Sequence, residues 1–598
     1  MKRPWTRRTA SAIIIIYVTK APDIMPTNHD IAAIFNQIAD ILDIQGKNAF
    51  RIRAYRNAAR IIDSMGQSLI GMYRENPESL KVIPGIGEGL REKIIEFCET
   101  EHIAEYEEIR ETIPPGLLDM LKIPSFGPKR VKLVYDKLGI ETVDALEQAA
   151  QKAKIRELPG MGEKSEAKLL KNIQDYRTLQ TDRKSWPEAH RIMEAYREYL
   201  SRVSGIESLE AAGSYRRCRE TIGDLDILIT TKGDSHPIID AFTAYPEVLE
   251  VIAKGDTKAS VILTRKIQVD LRVVEPGSFG AALQYFTGSK EHNVAMRRLA
   301  KDRGLKLSEY GIFSGDRMLA GKTEEEVYAE LGLQLIPPEL RENRGEIAAA
   351  EQGQIPTLVN LDDIKGDLHV HTTYSDGIAT ISEMAEAAKE RGYSYLAITD
   401  HSKAVTIANG LSEDRLLQQL DEIKKYRRGK PAVHVFSGIE VDIMSDGTLD
   451  YNDDILSQID FVIASVHSKF DMSKDQMTER IVAAIRNPYV RCLAHPTGRK
   501  IGDRLPYQVD IELIIDAAAT FQVALEINAS PERLDLNEIY AARAHTSGVP
   551  LMIGTDAHRP DRLDSMIYGI NIARRAWCER DAILNAWPLE RLIKWLEK

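Results

Sequence analysis

Gly213-Ser-Tyr-Arg-Arg-Cys-Arg-Glu-Thr-Ile-Gly-Asp-Leu-Asp-Ile-Leu-Ile-Thr230 lies near the middle of this 598-residue chain, and its two halves read differently. From Asp224 to Thr230 the residues form a strand pattern, and side chains two apart on a strand share a face, so Asp224 and Asp226 present both carboxylates together. Ahead of them, Gly213 to Arg217 supply a flexible turn, a hydroxyl and guanidinium groups, a set suited to triphosphate oxygens. Gln268-Val-Asp-Leu-Arg-Val-Val274 reads as a second strand, whose Asp270 completes a three-carboxylate cluster. Two Mg²⁺ ions held by such a cluster lower the pKa of an attacking hydroxyl and stabilise the leaving oxygen of an in-line phosphoryl displacement. Acids that merely blunt a strand edge are the alternative, and the phosphate-binding turn beside the pair weighs against it.

Toward the N-terminus the texture is helical. Ile31, Ile34, Phe35, Ile38, Ile41 and Leu42 recur at helical spacing. A repeat follows in Val82-Ile-Pro-Gly-Ile-Gly-Glu-Gly89, Lys122-Ile-Pro-Ser-Phe-Gly-Pro-Lys129 and Glu157-Leu-Pro-Gly-Met-Gly-Glu-Lys164. Each puts a small-residue turn between helical runs, and the middle copy has Ser125 where the others have glycine. These turns resemble the helix-hairpin-helix motif, in which backbone N–H groups at a helix N-terminus meet a DNA phosphate without reading sequence; the resemblance points to Gly85, Gly87, Gly127, Gly160 and Gly162. Lys47, Arg51, Arg53, Arg56 and Arg60 add a basic stretch interleaved with Phe50 and Tyr55. The apolar run from Ala12 to Val18 is too short to span a bilayer, so residues 1–25 are expected to be a disordered extension, with Met25 the native start.

Toward the C-terminus, a polar stretch punctuated by Pro337, Pro338 and Pro356 reads as a linker, and after Lys365 short apolar strands alternate with helical segments. Candidate strands end at His371, Thr399, Glu440, His467, His495, Asn528 and Asp556, giving a seven-stranded β/α layout. Metal-ligand residues recur there: His369, His371 and Asp376, then His401, Glu440, His467, His495, Asp556 and His558. Six of the chain's 13 histidines fall at these positions, which scattered core histidines do not explain. Catalytic groups of β/α barrels sit at the C-terminal ends of strands, and mixed imidazole and carboxylate ligands suit Mn²⁺, Zn²⁺ or Fe better than Mg²⁺ alone. Arg499 and Lys500 read as contacts to a nucleic-acid backbone, and Asp400 as a residue that orients a ligand histidine.

Bulk composition constrains these readings. At 598 residues several domains are required, and the 43% hydrophobic and 28% charged shares exclude a long disordered protein. The net charge of −11 counts against nucleic acid as a partner only if charge is evenly spread, and it is not. Cys98, Cys218, Cys492 and Cys578 lie far apart, without the pairing of a thiolate zinc site or a disulfide framework, which suits a reducing cytosol.

Taken together, Gly213 to Leu228, Val269-Asp-Leu-Arg272 and Gln284-Tyr-Phe-Thr-Gly-Ser-Lys-Glu-His-Asn293 resemble the palm and nucleotide-pocket motifs of family X DNA polymerases. The histidine-rich half is similar to the PHP (polymerase and histidinol phosphatase) family, a seven-stranded barrel with a trinuclear metal site whose nine ligand positions are all filled here. A single chain carrying both matches the bacterial form of family X, from about Ile31 to about Ile570. The resemblance implies that Asp224 and Asp226 bind two Mg²⁺ or Mn²⁺ ions, and that Asp270 binds the catalytic one and helps activate the primer 3′-hydroxyl. Ser214 and Arg217 would hold the β- and γ-phosphates, with Gly213 and Gly223 in the same pocket. Tyr285, Phe286 and Gly288 would lie under the sugar, and Asn293 and Arg297 would monitor the minor-groove edge of the nascent pair. Lys93 is the implied counterpart of the lyase nucleophile, although a surface lysine paired with Glu92 and Glu96 is its alternative use. The barrel, with up to three Mn²⁺, Zn²⁺ or Fe ions, implies 3′–5′ exonuclease activity, extending to abasic-site or 3′-end processing.

The expected fold is multidomain, α and α+β/α/β. It comprises a helical domain over 26–110 and a second helix-hairpin-helix domain over 111–185. A nucleotidyltransferase palm with a mixed sheet follows over 186–275, a nucleotide-selection subdomain over 276–340 and a linker over 341–364. The PHP barrel spans 365–575 and a helical tail 576–598. Expected partners are gapped or nicked DNA and deoxynucleoside triphosphates, with no membrane, for a monomer in the cytoplasm that associates with the nucleoid on DNA. A small-molecule phosphatase resembling histidinol-phosphate hydrolases, and a DNA-binding scaffold with inactive sites, are the competing functions; the first leaves the aspartates and hairpins without a role, and the second leaves the metal ligands without one.

Overall fold

A computed structural model of the chain describes residues 28–63, 69, 72–73, 76–83, 85–100, 102–110, 112–121, 123, 126–179 and 183–597. The expected extension over 1–25, its start at Met25 and the serine at 125 lie outside the described residues. The chain divides into two compact units, Met1–Leu170 and Lys171–Lys598.

In the first unit, helices Asn28–Ile44 and Ala49–Asp63 pack through Ile31, Phe35, Ile38 and Leu42 against Ile52, Tyr55 and Ile62, all buried. Removing each such side chain from water contributes roughly 1.5–3 kcal/mol, which fixes the pair that the helical spacing predicts. The basic residues of the second helix fall on its exposed side, where Arg56 meets Asp40 and Asp43 at 3.1 and 3.3 Å. Each repeated turn then leads into a helix: Glu88–Thr100, Pro128–Leu138 and Glu163–Leu179.

The second unit opens with a five-stranded mixed sheet: β1 Ser208–Ala211, β2 Asp224–Thr230, β3 Val248–Lys254, β4 Lys258–Leu263 and β5 Gln268–Val274. Its order is β1-β2-β5-β4-β3, with β2 and β5 parallel and the other neighbours antiparallel. Ile227, Ile229, Val269 and Leu271 of the central strands are buried against helix Trp186–Leu200 and helix His236–Thr243. A small antiparallel sheet follows, β6 Lys306–Ser308, β7 Gly311–Ser314 and β8 Arg317–Ala320, beside helices Phe279–Thr287 and Lys290–Asp302.

The polar stretch read as a linker is packed onto this subdomain. Leu340, Ala350, Ile355 and Leu358 enter its core, and Glu346 accepts from the buried His292 Nδ1 at 2.7 Å. Arg341, fully buried, pairs with Glu324 at 2.5 Å. Two of the polar residues that suggested a linker, Arg341 and Glu346, are therefore interior groups, satisfied by Glu324 and His292 of neighbouring elements as burial requires.

Seven parallel strands form the barrel in sequential order: β9 Gly366–Val370, β10 Tyr395–Ile398, β11 His434–Asp442, β12 Phe461–Ser465, β13 Val490–Leu493, β14 Ala524–Asn528 and β15 Leu551–Gly554. Each ends within two residues of the position read from sequence. Bonds from Asp556 N to His369 O (3.0 Å) and from His371 N to Ala557 O (2.9 Å) bring the last strand back to the first. At the strands' N-terminal ends the final residues close the barrel: Tyr395 Oη donates to the carbonyls of Asn585 and Trp587, and Leu592 and Trp595 join the interior cluster. Palm and barrel meet within this unit, Trp186 edge-on to Tyr568 at 5.8 Å. Among the described residues no helix is long and apolar enough to cross a membrane.

Candidate active sites

The three turns share one construction. A buried apolar residue, Ile86, Phe126 or Met161, anchors each turn, while Gly85, Gly87, Gly127, Gly160 and Gly162 are exposed. The carbonyls of Gly87, Gly127 and Gly162 accept from the N–H groups three and four residues on, so the preceding first-turn N–H groups have no partner within the helix. Among the described residues a Cβ on Gly87, Gly127, Gly160 or Gly162 would meet nothing within 4 Å, so packing against them does not require glycine at these four. Lys93 is placed differently from expectation: it pairs with Glu105 rather than with Glu92 or Glu96. Glu96 is taken by the N–H of Ala104 at 2.8 Å. Glu105 also accepts from Arg51 and, at 2.9 Å, from Tyr55 Oη, so Lys93 stands in a half-buried polar cluster.

In the palm, the parallel register sets Asp226 directly opposite Asp270, and Asp224 is one step along the same face. Burial, followed by the charges of Asp224 and Asp270, pushes the Asp226 carboxyl up to about 7. Asp270 turns both oxygens to Gln268 Nε2, at 3.0 and 3.1 Å. Gly213 has φ +64°, and a Cβ there would lie 2.2 Å from Asp226 Oδ2, so the turn closes on the carboxylate only because the residue is glycine.

A cleft of about 780 Å³ opens over this face, lined among others by Gly213, Ser214, Arg217, Asp224 and Asp226 and by Tyr285, Phe286, Gly288, Asn293 and Arg297. Ser214 Oγ is buried there without a hydrogen-bond partner among the described residues. Arg217 is engaged: its Nε donates to Glu342 at 3.0 Å and its Nη1 to Thr287 O at 2.5 Å. Asn293 is held at both ends of its amide, by Gln284 and by Tyr285 O, and the Arg297 guanidinium stands 6.0 Å from the Tyr285 ring. Gly223 lies against Arg183, which also lines the cleft.

The barrel draws all nine expected residues together at the C-terminal ends of its strands. Glu440 is central, 2.8 Å from His401 Nδ1, 3.0 Å from His495 Nε2, 3.4 Å from His467 Nε2 and 3.6 Å from His369 Nε2. His371 Nε2 lies 3.2 Å from Asp556, and His558 Nε2 3.3 Å from Asp376. Three overlapping groups have ligand atoms within 4.8 Å of one another: His371, Asp376, His401 and His558; His369, His371 and Asp556; His401, Glu440 and His467. Among the described residues, His369 Nε2, both nitrogens of His371, His401 Nδ1, His495 Nδ1 and Glu440 Oε2 find no hydrogen-bond partner although buried. Buried atoms of this kind are costly unless something else satisfies them, and lone pairs converging from three sides fit metal ions. The electrostatics agree. Burial, with His558 and His401 beside it, lowers His371 to about 4. Burial also opposes charge on His467 and His558, yet Glu440 and Asp376 respectively outweigh it and raise each to about 9.

Two functional side chains, Glu526 and Asp442, are not among the residues expected from the sequence. Glu526 accepts from His369 Nδ1 at 2.6 Å and from His495 N at 2.7 Å, and Asp442 lies 3.3 Å from His467 Nδ1. Both were legible in principle, as acids inside apolar strands two residues from Asn528 and Glu440. Asp400 does not orient a ligand histidine: it accepts from the backbone and hydroxyl of Thr372, from Ser375 and from Gln419, and so holds the loop between His371 and Asp376. Arg499 is not free for a nucleic-acid backbone, because Glu220 of the palm takes it at 2.5 and 3.2 Å.

Fold and site thus define a nucleotidyltransferase palm and a PHP-type barrel on one chain. Sequence signatures of the DNA polymerase beta palm and thumb match residues 186–280 and 282–342, and that of the PHP domain matches 367–528. A helix-hairpin-helix domain and a SAM-like helix-hairpin-helix tandem match 26–103 and 117–175. The chain is 39% identical over 575 residues to the DNA polymerase/3′-5′ exonuclease PolX of Bacillus subtilis (strain 168), covering 95% of this chain and 99% of that protein. DNA polymerase lambda of Rattus norvegicus is 27% identical over 51% of this chain and 54% of its own. A probable phosphatase of Thermoanaerobacter sp. (strain X514) is 33% identical over 37% of this chain and 89% of its own. The chain belongs to the bacterial-type family X DNA polymerases that carry a C-terminal PHP domain.

Proposed function

We infer that this chain fills short gaps in DNA as a DNA-directed DNA polymerase and trims or processes 3′ ends with its barrel, as a metal-dependent 3′–5′ exonuclease. The observation that carries the reading is the coexistence of two separate ligand-bearing faces, the Asp226–Asp270 register beneath the palm cleft and, at the barrel mouth, the eight residues of the overlapping ligand groups with His495 against Glu440. The B. subtilis relative, similar along nearly the whole chain, is named for both activities. The phosphatase relative spans about a third of the chain, which disfavours the small-molecule phosphatase reading.

In the palm, Asp224, Asp226 and Asp270 would hold two divalent cations, Mg²⁺ or Mn²⁺, which when bound neutralise the charge of phosphoryl transfer. Ser214 and Arg217 would hold the triphosphate; the unpartnered Ser214 hydroxyl supports this, and Arg217 must then exchange Glu342 or Thr287 O for phosphate. Tyr285 and Phe286 would floor the sugar, Gly288 and Gly223 leave room for the nucleotide, and Asn293 and Arg297 face the nascent pair. Asp270 would help draw the proton from the primer 3′-hydroxyl. In the barrel, His369, His371, Asp376, His401, Glu440, His467, His495, Asp556 and His558 would hold up to three Mn²⁺, Zn²⁺ or Fe ions, which when bound acidify water and offset phosphodiester charge.

The exposed hairpin glycines Gly85, Gly87, Gly127, Gly160 and Gly162 would contact phosphates on either side of a gap, and Lys93 would form a Schiff base with a 5′-deoxyribose phosphate. Domain limits near residues 110, 185, 275, 340 and 364, a monomeric state and a cytoplasmic, nucleoid-associated setting complete the proposal. A duplex with a one-nucleotide gap, one complementary labelled nucleotide and Mg²⁺ or Mn²⁺ tests it. Extension by one nucleotide is expected; hydrolysis of histidinol phosphate without extension would favour the phosphatase.

A further inference from the structure

Four basic side chains line the cleft over the barrel cluster: Lys500, Arg533, Arg559 and Arg562. Two are outward ion pairs, Arg559 with Asp561 at 2.7 Å and Arg562 with Glu532 at 3.7 Å, with side chains 53% and 43% exposed. Arg533 is different. Its side chain is 14% exposed, and its Nε lies 3.4 Å from Oδ2 of Asp556, the same carboxylate whose Oδ1 faces His371. With Nε directed at that carboxylate and no hydrogen bond to the two terminal nitrogens among the described residues, the fork is left to meet a ligand in the cleft.

The loop bearing Arg533 is fixed from outside the barrel. Its carbonyl accepts Arg499 Nε at 3.0 Å, and the next carbonyl, of Leu534, accepts Arg499 Nη2. Arg499 is in turn gripped by both oxygens of Glu220, in the palm. The Arg533 and Leu534 N–H groups turn back to Ser530 O at 2.9 and 3.1 Å, so the guanidinium is presented by a closed loop.

We propose that Arg533 is a catalytic residue of the barrel that binds non-bridging oxygens of the scissile phosphodiester at a DNA 3′ end, and that Glu220 and Arg499 position its loop. This rests on the exonuclease reading above. In the reaction one P–O bond forms from water and the P–O3′ bond breaks, the water's proton ending on the released 3′-oxygen; a nucleoside 5′-monophosphate leaves. Negative charge grows on the phosphoryl oxygens meanwhile, and a preorganised, poorly hydrated guanidinium is well suited to stabilise it.

The test uses the full chain with Arg533→Met, Arg533→Lys and Glu220→Gln. Exonuclease kcat and KM are measured on a 5′-labelled gapped duplex with Mn²⁺, bound metal by elemental analysis, and thymidine 5′-monophosphate binding to chelator-treated protein by calorimetry. Arg533→Met is expected to lower exonuclease kcat/KM about a hundredfold, the scale of losing one charge-stabilising donor. It should weaken monophosphate binding while leaving metal content and gap filling intact, and Arg533→Lys should recover part of both losses. Glu220→Gln should lower exonuclease kcat roughly tenfold, as misplacement of a catalytic group does. Loss of metal in Arg533→Met would reduce the residue to a structural partner of Asp556 and overturn the proposal, as would unchanged exonuclease and monophosphate binding. Absence of exonuclease activity in the wild-type protein would instead sink the underlying reading, and the proposal with it.

Discussion

Replacing Asp226 by asparagine should stabilise the metal-free palm, and far more at high pH than at low pH. The carboxyl is carried from an ordinary 3.8 to about 7 by burial and by Asp224 and Asp270. At ~1.4 kcal/mol for each tenfold in proton affinity, the ionised group costs the fold at most about 4 kcal/mol. An acid whose folded-state pKa exceeds its unfolded value destabilises most above the folded value and not at all below the unfolded one. The cost therefore grows between pH 4 and 7, reaching about 1 kcal/mol at pH 4.5 and its full size at pH 8. Amide hydrogen exchange of peptides from Asp224–Thr230 and Gln268–Val274 in chelator-treated protein reads this locally, wild type against variant at each pH. Asp226→Asn should slow exchange up to about a thousandfold at pH 8 and less than tenfold at pH 4.5. An equal gain at both pH values, or none at pH 8, would show that the buried Asp226 charge does not carry this cost.

Other outcomes follow from particular contacts. Gly213→Ala places a Cβ 2.2 Å from Asp226 Oδ2 and strains a φ of +64°, so nucleotide incorporation should fall at least about a hundredfold while exonuclease activity stays, as parallel assays would show. Glu526→Gln takes the charge from the partner of His369 Nδ1, and elemental analysis after dialysis should find metal retention weakened about ten- to a hundredfold. Because His467 and His558 are held at about 9 without metal, loading the barrel at pH 7 should release protons, seen as calorimetric heats that vary with buffer ionisation enthalpy; buffer-independent heats would contradict this. Lys93→Ala should leave gap filling intact and abolish borohydride trapping on 5′-deoxyribose phosphate DNA, and an undiminished adduct would exclude Lys93.

The readable parts were those with local periodicity. Alternation at Asp224 and Asp226 gave both the strand and its shared face, and short apolar runs, six of the seven ending at or just before a ligand residue, gave the barrel's seven strands. Partners set by tertiary packing were not readable. Residues 341–364 are polar in sequence, yet Arg341 and Glu346 are buried because Glu324 and His292 meet them from other elements. Lys93 turns from its helical neighbours to Glu105, and Arg499 from the solvent to Glu220, for the same reason. Glu526 carried a signal, an acid within an apolar strand, but its partner His369 lies 157 residues away.

If one chain holds two chemically independent active sites, a crossed pair of variants should separate them. On a gapped duplex with labelled nucleotide and Mn²⁺, Asp226→Ala should lose extension and keep 3′ trimming, while His371→Ala should keep extension and lose trimming. Loss of both activities in either folded variant, or of neither, would overturn the assignment of two independent sites.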